Sequence, residues 1–194
     1  ARDLGFRVHG VDLMEPFLRD ARTRAKRWGL SRLCRFERGD LRECARSARG
    51  YDVVVYASVG VLGPLDESVG ALRQCVRGEG LMVIDDGFLA PGVEPELEFE
   101  NLAGHAESRR RLISHGDEIL RERALAPDEM RAIDRRYIES IARRADDLAD
   151  AHPEDAELIR GYVDRQKRAA AAWERNAISA AWLLRKPRRT ATAP

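Results

Sequence analysis

The sequence predicts an α/β protein built on a mostly parallel sheet, and three patterns carry that prediction. From Phe6 to Ile84, short apolar runs alternate with amphipathic stretches, as strands alternate with crossover helices. One run, Val53-Val54-Val55-Tyr56, is unbroken, β-branched and aromatic, the composition of a centre strand covered on both faces. From Pro127 to about Arg175 the period becomes that of long helices, which predicts a helical insertion near the C-terminus.

The elements follow in order. ARDLGFRVHG has no Met and reads as the tail of a helix passing through Gly5 into a strand over 6–11, so a first strand and its loop are expected upstream. The next helix, over 15–28, places Phe17, Leu18, Ala21, Ala25 and Trp28 on one face and stops at Gly29. A strand over 34–37 runs into Gly39 and Asp40, and the centre strand occupies 51–58. Gly60, Gly63 and Pro64 then lead to a helix over 66–77 with Val69, Leu72 and Val76 inward. The turn Gly78-Glu79-Gly80 releases a buried strand over 81–84, which ends in Asp85, Asp86 and Gly87. Residues 88–104 read as loop, 106–114 as an arginine-rich helix, and 118–125 as either strand or helix. Pro153 divides the insertion into two helices. Ile178, Ala180, Trp182 and Leu184 alternate as a last strand, and 187–194 form a polar, basic tail.

Bulk composition narrows the function. Lys plus Arg number 34 against 33 Asp plus Glu, so no global field recommends nucleic acid or an acidic membrane. The runs Arg109-Arg110-Arg111 and Arg185, Lys186, Arg188, Arg189 lack interleaved aromatics and read as solvated faces. Cys34, Cys44 and Cys75 show neither disulfide nor zinc spacing, so a reducing cytoplasm is the expected compartment. No apolar run approaches the roughly 20 residues of a membrane helix. Asp40, Asp85 and Asp86 are the only acids that suggest a metal site, and adjacent acids alone are no ligand set, so no metal is expected. His9 falls within a strand and reads as packed or hydrogen-bonded; His105, His115 and His152 have no partner at useful spacing.

Four segments, HGVDLMEPFLRDAR, FERGDLRE, YDVVVYASVGVLGPLDESVGALRQCVRGEGLMVIDDGF and AISAAWLLRK, together resemble a class I S-adenosylmethionine-dependent methyltransferase that begins after its first strand and glycine-rich loop. GEG stands where that family often has Pro-Gly-Gly. The resemblance implies a Rossmann-like sheet with an antiparallel last strand, its core over 1–126 and 176–186 and the insertion, a candidate lid, over 127–175. It also implies S-adenosylmethionine as cofactor and a small-molecule methyl acceptor. Asp12 would bind the ribose hydroxyls with Leu13 beside the adenine. Asp40 would accept from the adenine amino group, Leu41 would add backbone and apolar contact, and Ser58 would lie near the methionine moiety.

Simpler roles stand beside these. An Asp before a helical run caps it, and a Gly-Asp pair marks many turns. Asp86, Tyr137, Tyr162 and Trp173 are candidate acceptor contacts, although aromatics at helical spacing also serve to pack helices together. An acid after the second strand suits NAD ribose equally well, so an NAD-dependent oxidoreductase is the rival enzyme. A noncatalytic nucleotide-binding or interaction module is the third reading. No general base is assigned.

Overall fold

The computed structural model describes residues 1–57, 60–94 and 99–188. In chain order the elements are β1 (Val8–Asp12), α1 (Glu15–Arg27), β2 (Cys34–Arg38), α2 (Leu41–Ser47), β3 (Tyr51–Ala57), α3 (Leu65–Cys75) and β4 (Val76–Leu89). They continue with α4 (His105–Leu112), β5 (Glu118–Ala124), α5 (Pro127–Ala151), α6 (Ala156–Asn176) and β6 (Ala177–Arg185).

The architecture is mixed α/β with a mostly parallel sheet and an antiparallel last strand, as the sequence predicts. β1 and β2 form one parallel pair; β3, β4, β6 and β5 form a second sheet in that order. β3 runs parallel to β4, whereas β6 runs antiparallel to both β4 and β5. The direction of β6 follows from where the chain returns: Ala177 pairs with Leu89, at the carboxyl end of β4. The ambiguous 118–125 stretch is a strand because the free edge of β6 supplies its ladder.

Several local features depart from the sequence reading. β3, read as a centre strand, stands at an edge of the larger sheet among the described residues, with Val55 exposed. β4 continues to Leu89, so Asp85, Asp86 and Gly87 lie within it rather than ending it. The strand expected over 6–11 is displaced to Val8–Asp12, so Asp12 ends the strand rather than following it. Leu41–Ser47 forms the short helix α2, which Asp40 caps by accepting from the Arg42 N–H at 2.7 Å. The Gly78-Glu79-Gly80 turn lies inside β4 as a loop-out of the ladder, since Tyr51 pairs with Val76 but Val53 pairs with Leu81. Glu79 sits there at φ 63. Its N–H donates to the Lys186 carbonyl at 2.9 Å and its carboxylate accepts from the Arg188 N–H at 2.9 Å, which hold a conformation few L-residues adopt.

The main core lies on one face of the larger sheet. Val69 and Leu72 of α3 and Leu112 of α4 pack on Met82, Ile84 and Phe88 of β4 and on Trp182 and Leu184 of β6. Burying each such side chain contributes roughly 1.5–3 kcal/mol. Arg73 of α3 reaches Asp117, whose side chain is fully buried, through Nε at 3.0 Å. The two sheets are held side by side through α2 and α3, where the Cys75 thiol donates to the Ala45 carbonyl at 3.5 Å. A 2.5 Å hydrogen bond between His9 Nδ1 and Tyr51 Oη joins the beginnings of β1 and β3. No helix among the described residues is long and apolar enough to cross a membrane.

Candidate functional site

The carboxyl ends of parallel strands are where an open α/β sheet collects ligands. At the β1–β2 end, the two loops are tied together: the Asp12 carbonyl accepts from the Gly39 N–H at 3.1 Å, and the Leu13 carbonyl accepts from Arg38 Nε at 3.2 Å. These bonds bring Asp12 and Asp40 onto one rim. Asp12 Oδ1 accepts from the Met14 N–H at 2.7 Å, so one oxygen fixes the entry to α1. Asp40 likewise commits Oδ1 to α2, while its Oδ2 lies 3.6 Å from Arg42 Nη1. Each carboxylate therefore combines a local bond with a second oxygen that no backbone N–H claims. Beside them Leu13 is exposed and Leu41 half-buried, which gives the rim an apolar flank.

The β3–β4 end contributes a second group of acids. Asp85 stands in register with Ala57, and Asp86 follows it. Burial pushes the Asp86 carboxyl above its ordinary range; the Gly87 N–H, 2.8 Å from Oδ1, opposes that shift and the neighbouring Asp85 charge adds to it. Ser58 lies outside the described residues.

β5 runs parallel to β4, so α5 leaves at the same edge and α6 returns there to β6. Trp173 stands at the root of this helical hairpin. Its Nε1–H donates to Ser179 Oγ at 2.9 Å, and its ring centroid lies 6.0 Å from that of Phe99. A Cβ at Gly87 would fall 2.6 Å from Trp173 Cζ2, so Trp173 occupies the space that glycine leaves next to Asp86. Successive residues of a strand face opposite ways, so Asp86 turns to the face of Ile84 and Phe88 while Trp173 lies on the other face at Gly87, and the structure does not bring the two side chains together. Tyr137 and Tyr162 lie exposed on the helices, with the Arg165 guanidinium 5.9 Å from the Tyr162 ring.

Sequence spacing missed one charged cluster. His105 Nε2 donates to Glu122 at 2.5 Å, and Arg109 donates to the other oxygen of the same carboxylate. Burial pushes the Glu122 carboxyl up, but the bonds and charges of His105 and Arg109 outweigh it and leave the group below its ordinary value. The partner comes from β5, a strand away, so no local spacing could reveal it. The Phe88 ring, 4.7 Å from His105, packs on the same cluster. Among the described residues no three His, Cys, Asp or Glu side chains are grouped to hold a metal ion.

No protein-family model matches the chain and no curated protein matches its sequence. Solved structures do match its fold. A SAM-dependent methyltransferase from Thiobacillus denitrificans, in complex with S-adenosyl-L-homocysteine, aligns with TM-score 0.75 at 19% identity, over 95% of this chain and 77% of that one. Another from Geobacter sulfurreducens, with the same ligand, gives 0.78 at 17%, over 97% and 78%. A phosphoethanolamine N-methyltransferase of Haemonchus contortus, bound to phosphomonomethylethanolamine and S-adenosylhomocysteine, gives 0.69 at 17%, over 95% and 44%. The chain has the Rossmann-like fold of the class I SAM-dependent methyltransferases.

Proposed function

We propose that this protein transfers a methyl group from S-adenosylmethionine to a small-molecule acceptor. The observation that carries the proposal is the shared rim of Asp12 and Asp40, set at the carboxyl ends of paired strands in a methyltransferase fold. The residues fit the cofactor's chemistry. A ribose offers hydroxyl donors and an adenine an amino donor, and both acids keep an oxygen that no backbone N–H claims. Leu13 and Leu41 supply the apolar flank an aromatic base requires, and Ser58 is assigned to the methionine end.

When bound, the sulfonium supplies an activated methyl group, and the protein's task is to hold donor and acceptor in line and exclude water. Asp12 and Asp40 orient the nucleoside. On the acceptor side, Asp86 and Trp173 stand at the same edge of β4 but on opposite faces, and the hairpin of α5 and α6 forms a wall over that edge. Tyr137 and Tyr162 touch acceptor only when that hairpin bends over the edge. In this reading 127–175 form the lid and 1–126 with 176–186 the core. Three free thiols suit a cytoplasmic protein. The neighbours bound to S-adenosylhomocysteine support this reading over NAD-dependent hydride transfer.

The test supplies S-adenosylmethionine with a panel of small amines, carboxylic acids and phenols and measures S-adenosylhomocysteine. Acceptor-dependent product is expected. Absence of product across the panel, together with nicotinamide reduction by the same chain, would replace methyl transfer with hydride chemistry.

A further inference from the structure

The carboxyl end of β4 carries more than Asp86. Because Ala57 pairs with Asp85, Phe88 and Leu89 run on past the level where β3 ends, toward the edge where the sheet collects ligands. The Leu89–Gly104 bridge sets the start of α4 beside that overhang, and His105 is the first residue of the helix. Its ring centroid lies 4.7 Å from that of Phe88. Glu122 meets it there from β5. Glu122 pairs with Trp182 and Trp182 with Ile84, and directly paired residues share a face. Glu122, Phe88 and Asp86 therefore all lie on the α4 side of the sheet.

The bonding fixes which ring nitrogen is reactive. Glu122 accepts from Arg109 at one oxygen and from His105 Nε2 at the other, and those two groups outweigh its burial and keep it ionised. An ionised carboxylate only accepts, so Nε2 carries the hydrogen and the neutral ring keeps its lone pair on Nδ1. No described residue bonds Nδ1. The His105 side chain is 49% exposed, whereas that of Glu122 is 16% exposed. A carboxylate set behind one nitrogen of an imidazole, with the other nitrogen open at a ligand edge, is the arrangement that orients a general base. The charges facing the ring are those of Glu122 and Arg109, with Asp86 two residues from Phe88 on the same face.

We infer that His105 is the general base of the reaction and that the acceptor reacts through a phenol-type hydroxyl; the inference rests on the methyl-transfer reading above. The class follows from which acceptors need a base. A carboxylic acid is already ionised at neutral pH, and a free amine reacts through its own lone pair. A phenol holds its proton, with a pKa near 10, yet is acidic enough for an imidazole to remove it as the new bond forms. Nδ1 takes the hydroxyl proton, the oxygen's electron pair forms the oxygen–methyl bond, the methyl–sulfur bond breaks, and its electron pair stays on sulfur in S-adenosylhomocysteine. His105 then passes the proton to water. Glu122 is a positioning residue that holds the ring's tautomer and stabilises the imidazolium, and Arg109 holds Glu122.

The experiment titrates catechol and 4-methylphenol into the chain with S-adenosylhomocysteine present, follows the His105 ring nitrogens by NMR, and then measures methyl transfer to the same phenols and to benzoate. A bare Nδ1 in the neutral ring, whose signal shifts saturably with a phenol, is expected; Glu122→Gln should mix the two tautomers. His105→Gln should lower kcat for phenols by about 10²–10⁴-fold, leave S-adenosylhomocysteine affinity within twofold and leave benzoate methylation within threefold. It should also abolish the loss of kcat/KM that the parent shows as pH falls and the ring protonates. A hydrogen on Nδ1 of the neutral ring, a signal that neither phenol moves, phenol turnover within threefold of the parent, or equal losses for phenols and benzoate each overturns the inference. A phenol-dependent Nδ1 shift in a chain that binds no S-adenosylhomocysteine would refute methyl transfer alone, since the phenol site would then be shown.

Discussion

Gly87→Ala tests how the helical hairpin is anchored to the sheet. The added methyl group would lie 2.6 Å from Trp173 Cζ2, 3.2 Å from its Cη2 and 2.9 Å from the Ile178 carbonyl oxygen. Ordinary contact begins near 3.4 Å, so the indole must retreat by about 0.8 Å. That movement stretches the 2.9 Å bond to Ser179 to at most about 3.7 Å, which weakens or breaks it. Overpacking costs about 1–3 kcal/mol and the lost bond about 0.5–1.5 kcal/mol. For a chain of this size the sum lowers Tm by roughly 3–18 °C. Urea and thermal denaturation of Gly87→Ala, Trp173→Phe and the double variant close the cycle. Phe lacks Cζ2, Cη2 and the N–H, so the double variant should be less destabilised than the sum of the singles by about 1 kcal/mol. Rescue is partial because the Ile178 oxygen remains. Additivity within about 0.5 kcal/mol would refute the contact as the anchor.

Three further expectations follow from the geometry. Asp12→Asn and Asp40→Asn keep the oxygen that fixes the helix entry but lose the charge, so each should weaken S-adenosylhomocysteine binding by about 10–150-fold, the worth of a hydrogen bond to a charged group; Asp40→Ala should in addition cost about 1 kcal/mol in stability as a lost cap, read by thermal denaturation. Arg73→Leu leaves the buried Asp117 carboxylate unpaired and should cost about 3–5 kcal/mol, a Tm loss of roughly 6–20 °C in a thermal scan. Glu122 is held below its unfolded value of 4.5, so its contribution is full above that pH and is lost as pH falls through the lower folded value. Glu122→Gln should therefore lower stability at neutral pH and flatten the acid limb of a stability-versus-pH curve.

What the sequence made legible follows from the range of each interaction. β3 could be read because Val53, Val54 and Val55 signal a strand without reference to any neighbour. The strand ends at Asp12 and Asp40 were visible for the same reason, since each acid acts on backbone groups within two residues. α2 was hidden because seven residues carry too little periodicity to distinguish a short helix from a turn. The 118–125 stretch, rich in Arg and Glu, has no local preference and becomes a strand only by pairing with β6. Alternation revealed β6 but not its direction, which is set by the point where α6 delivers the chain. His105 found its carboxylate on β5, and Asp117 its guanidinium on α3; such pairs exist only after the sheet has formed. The exposure of Tyr137 and Tyr162, against the packing of Trp173 on the same hairpin, was likewise decided by which turn of helix meets the sheet.

The central claim is that the rim formed by Asp12 and Asp40 is a nucleoside site for S-adenosylmethionine. Calorimetric titration with S-adenosylhomocysteine, with NAD run alongside, tests it most directly. Saturable binding of S-adenosylhomocysteine alone, weakened by Asp12→Asn, is the predicted result. Binding of NAD alone, or S-adenosylhomocysteine binding that neither Asp12→Asn nor Asp40→Asn changes, would contradict it.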